Sequence, residues 1–272
     1  MSSSYGTVSG SATSNDQVRA EAGEGDPLLG SKPESFTTRA AKVLNAQVKR
    51  DWADLVLLVC YIITGLLDSA SISVYGSFVS MQTGNTVYLG LGLAAPREGT
   101  RWIKSLTSLG FFCLGSFCFS RFHRYFSPKK RWVLCLSFAI QTILIVAAAV
   151  MVTILPTPPI DEISWRTLVP IALIAFQSCG QAVTSRALKF NALTSVVLTS
   201  VYCDLFADQN LFSAKNVERN QRASAPILLV LGAICGGLFA HSSMGIAGAL
   251  WTAALLKLLV VIAWCFWPGE DS

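Results

Sequence analysis

The chain has 272 residues, of which 52% are hydrophobic and only 14% charged, with a formal net charge of +5. A soluble domain carries about 25% charged residues. A mean hydropathy of +0.51, gathered in long apolar runs, belongs to a chain that packs in lipid, and no soluble basic domain remains for nucleic acid.

Residues 1–50 are rich in Ser, Gly, Glu, Asp and Thr. They hold too few apolar residues to form a core and read as a disordered cytosolic tail. Its last part, 37–50, mixes Ala, Val and Leu with basic residues and is expected to form a short helix on the membrane surface. Within the tail, Glu24, Leu28 and Leu29 form an acidic dileucine pattern. It resembles the sorting signal read by clathrin-adaptor complexes, a partner that would direct the chain to vacuolar or endosomal membranes. A chance match leaves the plasma membrane as the alternative. The first apolar run begins near Asp54, so no secretory signal peptide is expected.

The membrane domain extends over 51–268, followed by a short acidic tail, 269–272. The expected architecture is all-α and polytopic, with the lipid bilayer as its surroundings. Six firm spans lie near 54–73, 103–120, 132–154, 167–186, 225–243 and 246–267, each close to the ~20 residues a bilayer core needs. Two further segments, 77–95 and 190–207, are apolar but studded with Ser, Thr, Asn and Gly. Loop charge favours leaving these two incomplete. With six crossings the basic loop 121–131, Arg186, Lys189, Lys215, Arg219 and Arg222 share the cytosolic side with both termini, while Asp161 and Glu162 face out. Arg97, Arg101 and Lys104 fit this badly, and eight full helices remain the alternative.

Each half then reads span, polar-interrupted segment, span, span. Residues 78–87 (FVSMQTGNTV) loosely match 190–197 (FNALTSVV). Three crossings per half would invert one half relative to the other, as in many secondary transporters. Chance similarity between Ser/Thr-rich segments is the rival explanation.

The interior polar residues are the candidate solute-binding positions. Asp68 lies about 21 Å into the first span. A carboxylate there is either an ion-responsive site or a helix-end group that caps the next segment. Gln82, Thr83, Gly84, Asn85 and Thr86 put amides, hydroxyls and a flexible backbone in one turn, for a ligand or for helix packing. Lys257 sits almost mid-span, close enough in depth for its long side chain to approach Asp68; Asp204 is another candidate partner. Gln177, Gln181 and Thr184 share one helix face, to line a polar cavity or to join two helices.

The eight cysteines lie in or beside apolar segments without CxxC spacing and read as small buried residues. Trp102, Trp132, Trp165, Trp264 and Trp267 fall near span ends as an interfacial belt. His123 in the basic loop and His241 at a span end make no metal site. No cofactor motif or nucleophile–base pair is present, so no enzyme activity and no cofactor are expected.

Gly65-Leu66-Leu67-Asp68, then Phe78-Val79 and Gln82-Thr83-Gly84-Asn85-Thr86, resemble the YoaK-like family of bacterial and fungal membrane proteins, the domain of unknown function numbered 1275. The pattern of Gly-x-x-Asp followed by Thr-Gly-Asn is met without departure, and the resemblance covers about 52–267. It implies a polytopic helical membrane protein and no particular activity. The residues favour a carrier for a small polar or ionic solute; the alternative is a non-catalytic membrane scaffold or assembly partner.

Overall fold

The computed structural model describes residues 42–156, 158–190, 193–213 and 215–270. The dileucine pattern at Glu24, Leu28 and Leu29 lies outside the described residues. The described chain is helical, apart from two isolated backbone bridges, Gln47 with Lys130 and Val48 with Gly269. Six helices are long and apolar enough to cross a membrane: α1 (Ala53–Tyr75), α3 (Arg101–Phe126), α4 (Arg131–Ile154), α5 (Trp165–Ala187), α7 (Val217–Ala240) and α8 (Gly245–Cys265). Between them lie two short helices, α2 (Gln82–Ala94) and α6 (Thr199–Phe206). At 1.5 Å per residue these reach only about 20 Å and 12 Å, short of a ~30 Å hydrocarbon core. The protein is a multi-pass integral membrane protein with six crossings and two incomplete segments.

Loop contacts define the two faces. On the N-terminal face, Val48 N–H donates to Lys129 O at 2.8 Å and Lys49 N–H to Pro268 O at 3.1 Å. Gln221 Nε2 donates to Asp54 Oδ2 at 2.7 Å, and Arg50 lies over the Phe190 ring. The end of the tail, the α3–α4 loop, the C-terminal residues and both flanks of α6 therefore share one face. On the opposite face, Arg101 Nε donates to Gly76 O at 2.5 Å and Thr100 Oγ1 to Asp161 O at 3.0 Å. Lys104 Nζ donates to Ile160 O. The end of α1, the start of α3 and the acidic α4–α5 loop lie together there.

Two helix bounds differ from the sequence reading. Helix α3 runs on to Phe126, so His123 is a buried helical residue rather than part of a loop; the arginines beside it can reach water from the last turn. Helix α7 begins at Val217, where Asn216 Oδ1 accepts the Arg219 N–H at 2.9 Å. Of the tryptophans, Trp264 is fully buried, with its ring centroid 6.4 Å from that of Phe138. It is a core residue, whereas Trp165 is exposed.

The packing repeats between the halves. Helix α1 lies along α7 as α3 lies along α5; α4 meets α5 as α8 meets α1; α2 rests on α3 as α6 rests on α7; and α4 packs on α8. Exchanging the halves reproduces every one of these pairs. Small residues make the equivalent crossings close: a Cβ at Gly115 would strike the Phe176 carbonyl of α5, and one at Gly232 the Ile62 carbonyl of α1. Glycine lets membrane helices approach backbone to backbone.

Candidate functional site

The chain reverses where α1 ends. Gly76, at φ 75°, adopts the left-handed conformation that glycine takes without a Cβ penalty. Residues 77–81 then turn back beside the last turns of α1 before α2 climbs out again. A backbone without helical hydrogen bonds is tolerated at membrane depth only when protein or water satisfies it. Here side chains from four helices do so.

Asp68, 3% exposed, is the first of them. Its Oδ1 accepts the N–H of Val79 at 2.8 Å and of Ser80 at 2.9 Å, and its Oδ2 accepts the Ser80 hydroxyl. Asn85, 0% exposed, reaches back from α2. Its Nδ2 donates to Phe78 O at 2.7 Å, and its Oδ1 accepts the Phe78 N–H and the Ser77 hydroxyl, both at 3.1 Å. Ser108 of α3 donates to Phe78 O at 2.7 Å, and Ser178 of α5 to Val79 O at 3.0 Å. Gln82 Nε2 donates to Val79 O and Ser108 Oγ, each at 3.2 Å. A Cβ at Gly84 would come within 2.8 Å of the Phe78 ring, so Gly84 admits that ring. Thr83 and Thr86 are exposed, and Thr86 Oγ1 donates to Gln82 O of its own helix at 2.8 Å. The Gln82–Thr86 turn thus divides: Gln82, Gly84 and Asn85 build the loop, while Thr83 and Thr86 face away from it.

The second reversal follows α5. Lys189 at φ 65° stands where Gly76 does, and each lies eight residues beyond an interior polar side chain, Gln181 and Asp68 respectively. Gln181 Nε2 donates to Ser195 Oγ in the returning segment at 2.7 Å and to Thr64 Oγ1 of α1 at 2.5 Å. Its Oε1 accepts from Lys257 Nζ at 2.8 Å. Met81 at the start of α2 and Leu198 at the start of α6 pack against one apolar cluster containing Tyr61, Leu193 and Val201. The two short helices enter from opposite faces and begin against this same cluster.

Lys257 is 0% exposed. Besides Gln181 it donates to Gln141 Oε1, and its Nζ lies 4.9 Å from the Phe138 ring centroid. Gln141 leads outward through Ser137 to His123, whose Nε2 is 3.2 Å from Ser137 Oγ and 3.3 Å from Thr184 Oγ1. The expected approach of Lys257 to Asp68 or Asp204 is not made: among the described residues no ion pair involves any of the three, and Asp204 is exposed. Gln177, one turn before Gln181, is 1% exposed, and neither its Nε2 nor its Oε1 has a partner among the described residues. The sequence singles out Asp68, Asn85, Gln181 and Lys257. It passes over Thr64, Ser108, Ser137, Gln141, Ser178 and Ser195, which complete both networks, because single hydroxyls and amides in apolar runs carry no spacing signal.

Among the described residues no group of three or more His, Cys, Asp or Glu side chains is placed to hold a metal. All eight cysteines are free thiols. No curated protein and no solved structure matches the chain. The family model described as "Protein of unknown function (DUF1275)" matches residues 56–263, nearly the whole six-crossing domain with both reversals. The chain belongs to the DUF1275 family.

Proposed function

We propose that this protein carries a small polar or ionic solute across the membrane. The observation behind this reading is the pair of reversing segments. They enter from opposite faces, begin their short helices against one cluster, and stand beside buried polar side chains from α1, α4, α5 and α8. Inverted repeats whose interrupted helices meet near the midplane are a recurring transporter architecture, and rocking one helix bundle against another gives alternating access. The close glycine crossings between α1 and α7 and between α3 and α5 supply two-helix units that can move as bodies.

The basic residues Lys129, Lys130, Arg186, Lys189, Lys215, Arg219 and Arg222 flank the N-terminal face, which we take as cytosolic by the positive-inside rule. A vacuolar or endosomal address through Glu24, Leu28 and Leu29 is part of the same proposal. Replacing both leucines by alanine should move a tagged chain to the plasma membrane; an unchanged location would remove the signal.

The test is uptake by proteoliposomes containing the purified full chain, using small polar cations, anions and neutral solutes. Uptake above protein-free vesicles is the expected result, and Asp68→Asn is expected to abolish coupled uptake while the protein remains folded. Normal uptake by that variant would remove Asp68 from the mechanism. A second reading, a non-catalytic scaffold, draws on how fully Asp68 and Asn85 are satisfied within the chain, as helix-joining side chains are. Under it no solute is taken up, and Asp68→Asn instead weakens recovery of a partner.

A further inference from the structure

Two buried ionisable groups, Asp68 and Lys257, are answered very differently. Asp68 meets two backbone N–H groups and a hydroxyl, so its carboxyl group holds the first loop in place. Among the described residues, Lys257 hydrogen-bonds to the amide oxygens of Gln141 and Gln181 and lies over the face of Phe138, with no carboxylate paired to it. Amide oxygens satisfy the donors of an ammonium but bring no countercharge. A lone cationic side chain at this depth is costly and marks an ion or substrate path.

Gln177 supplies an independent sign of a ligand. Both polar atoms of its amide lack a partner although the residue is 1% exposed, and an unmade buried hydrogen bond costs about 1–3 kcal/mol. Native chains leave few such groups unexplained. At i and i+4 on α5, Gln177 and Gln181 share one helix face, and Gln181 touches Lys257.

From these residues we infer that the solute is a small monovalent anion, an oxyanion or a short carboxylate. Lys257 supplies its countercharge, and the Gln177 amide donates to its oxygens. The inference rests on the carrier reading for transport, but the site itself is open to a binding measurement. An ammonium already held by two amide oxygens keeps its third N–H for the anion. No carboxylate has to be displaced for the anion to enter.

The experiment measures the thermal unfolding midpoint of the purified full chain in detergent. The probes are sodium nitrate, sodium acetate and sodium lactate, compared with sodium gluconate at equal ionic strength. Proteoliposome uptake of the same labelled anions, of methylammonium and of glycerol is measured alongside. At least one probe anion should raise the midpoint by several degrees and be taken up, and both Lys257→Met and Gln177→Leu should lose the rise. The Gln177 side chain bonds to nothing among the described residues, so Gln177→Leu should fold at least as stably as the parent when no probe is present. It keeps the test sound where Lys257→Met fails to fold. No rise with any probe anion, or a rise retained in Gln177→Leu, overturns the anion site. Uptake of methylammonium or glycerol without any anion effect overturns it and leaves the carrier reading standing. A rise lost in the variants, without uptake of any solute, upholds the anion site and overturns the carrier reading.

Discussion

Replacing Asp68 by alanine removes the group that ties the first reversal to α1. The Val79 and Ser80 N–H groups, at 2.8 and 2.9 Å from Oδ1, then lose their acceptor inside the protein. Leaving each unmade costs about 1–3 kcal/mol. Relief of the buried carboxylate offsets part of this, leaving a loss of about 2–4 kcal/mol. Asparagine keeps an oxygen for both N–H groups, and its amide nitrogen can donate to a rotated Ser80 hydroxyl. Only the extra strength of charge-assisted bonds is lost, about 1 kcal/mol. Ser80→Ala removes one hydroxyl contact and keeps both backbone bonds, for a similar loss of about 1 kcal/mol. At about 2–4 °C per kcal/mol for a domain of this size, the midpoint in detergent should fall by about 5–15 °C for Asp68→Ala and by only a few degrees for the other two. An Asp68→Ala midpoint equal to or above that of the parent would refute the loop-holding role.

Four further outcomes follow from the packing. Asn85→Ala strips the acceptor from the Phe78 N–H and a donor from its carbonyl, and should lower the midpoint by an amount comparable to Asp68→Ala; Thr83→Ala, at an exposed position, should stay within about 0.5 kcal/mol of the parent. Gly65→Ala drives a Cβ into the Leu229 carbonyl and should cost about 1–3 kcal/mol by forcing α1 from α7, read as loss of folded protein in size-exclusion chromatography. Asn216→Ala removes the α7 cap and should cost about 0.5–2 kcal/mol, seen as faster amide exchange in the first turn of α7. The Asn210 N–H foremost, then Asn216 and Arg222, hold the Asp208 carboxyl below its ordinary range. Its contribution is therefore present above the ordinary carboxylate pKa and lost as pH falls through the lowered one; amide protection at 208–213, taken relative to the intrinsic exchange rate at each pH, should fall at acid pH in the parent and lose that pH dependence in Asp208→Asn.

The crossings are legible in the sequence because a membrane helix announces itself by length and apolarity, and 54–73 or 132–154 need nothing else. The incomplete segments are legible for the opposite reason: polar residues at 82–86 interrupt an apolar run that is too costly to break without purpose. The partners are not legible. Asp68 meets residues 79 and 80 only because the chain doubles back at Gly76, and Ser108 and Ser178 reach that loop from distant helices. The proximity of Lys257 in depth to Asp68 points to a pair, but depth leaves helix face undetermined, and the face turns Lys257 toward Gln141 and Gln181 instead. His123 goes astray because the arginines flanking it read as a loop, although long basic side chains extend a helix to the membrane surface. Gln177 is visible as an interior amide, but its lack of any partner is a property of the packed structure alone.

The arrangement of the two reversing segments is tested most directly by labelling single cysteines from each side of sealed vesicles, in a background free of the native eight. Positions 51, 98, 129, 161 and 208 suffice. With α2 and α6 returning to the faces they entered from, Asp51→Cys, Lys129→Cys and Asp208→Cys label from one side, and Glu98→Cys and Asp161→Cys from the other. Labelling of Glu98→Cys and Asp208→Cys from the side of Asp51→Cys, with Lys129→Cys on the opposite side, would mean that both short segments cross fully. The inverted arrangement, and the carrier reading built on it, would then fall.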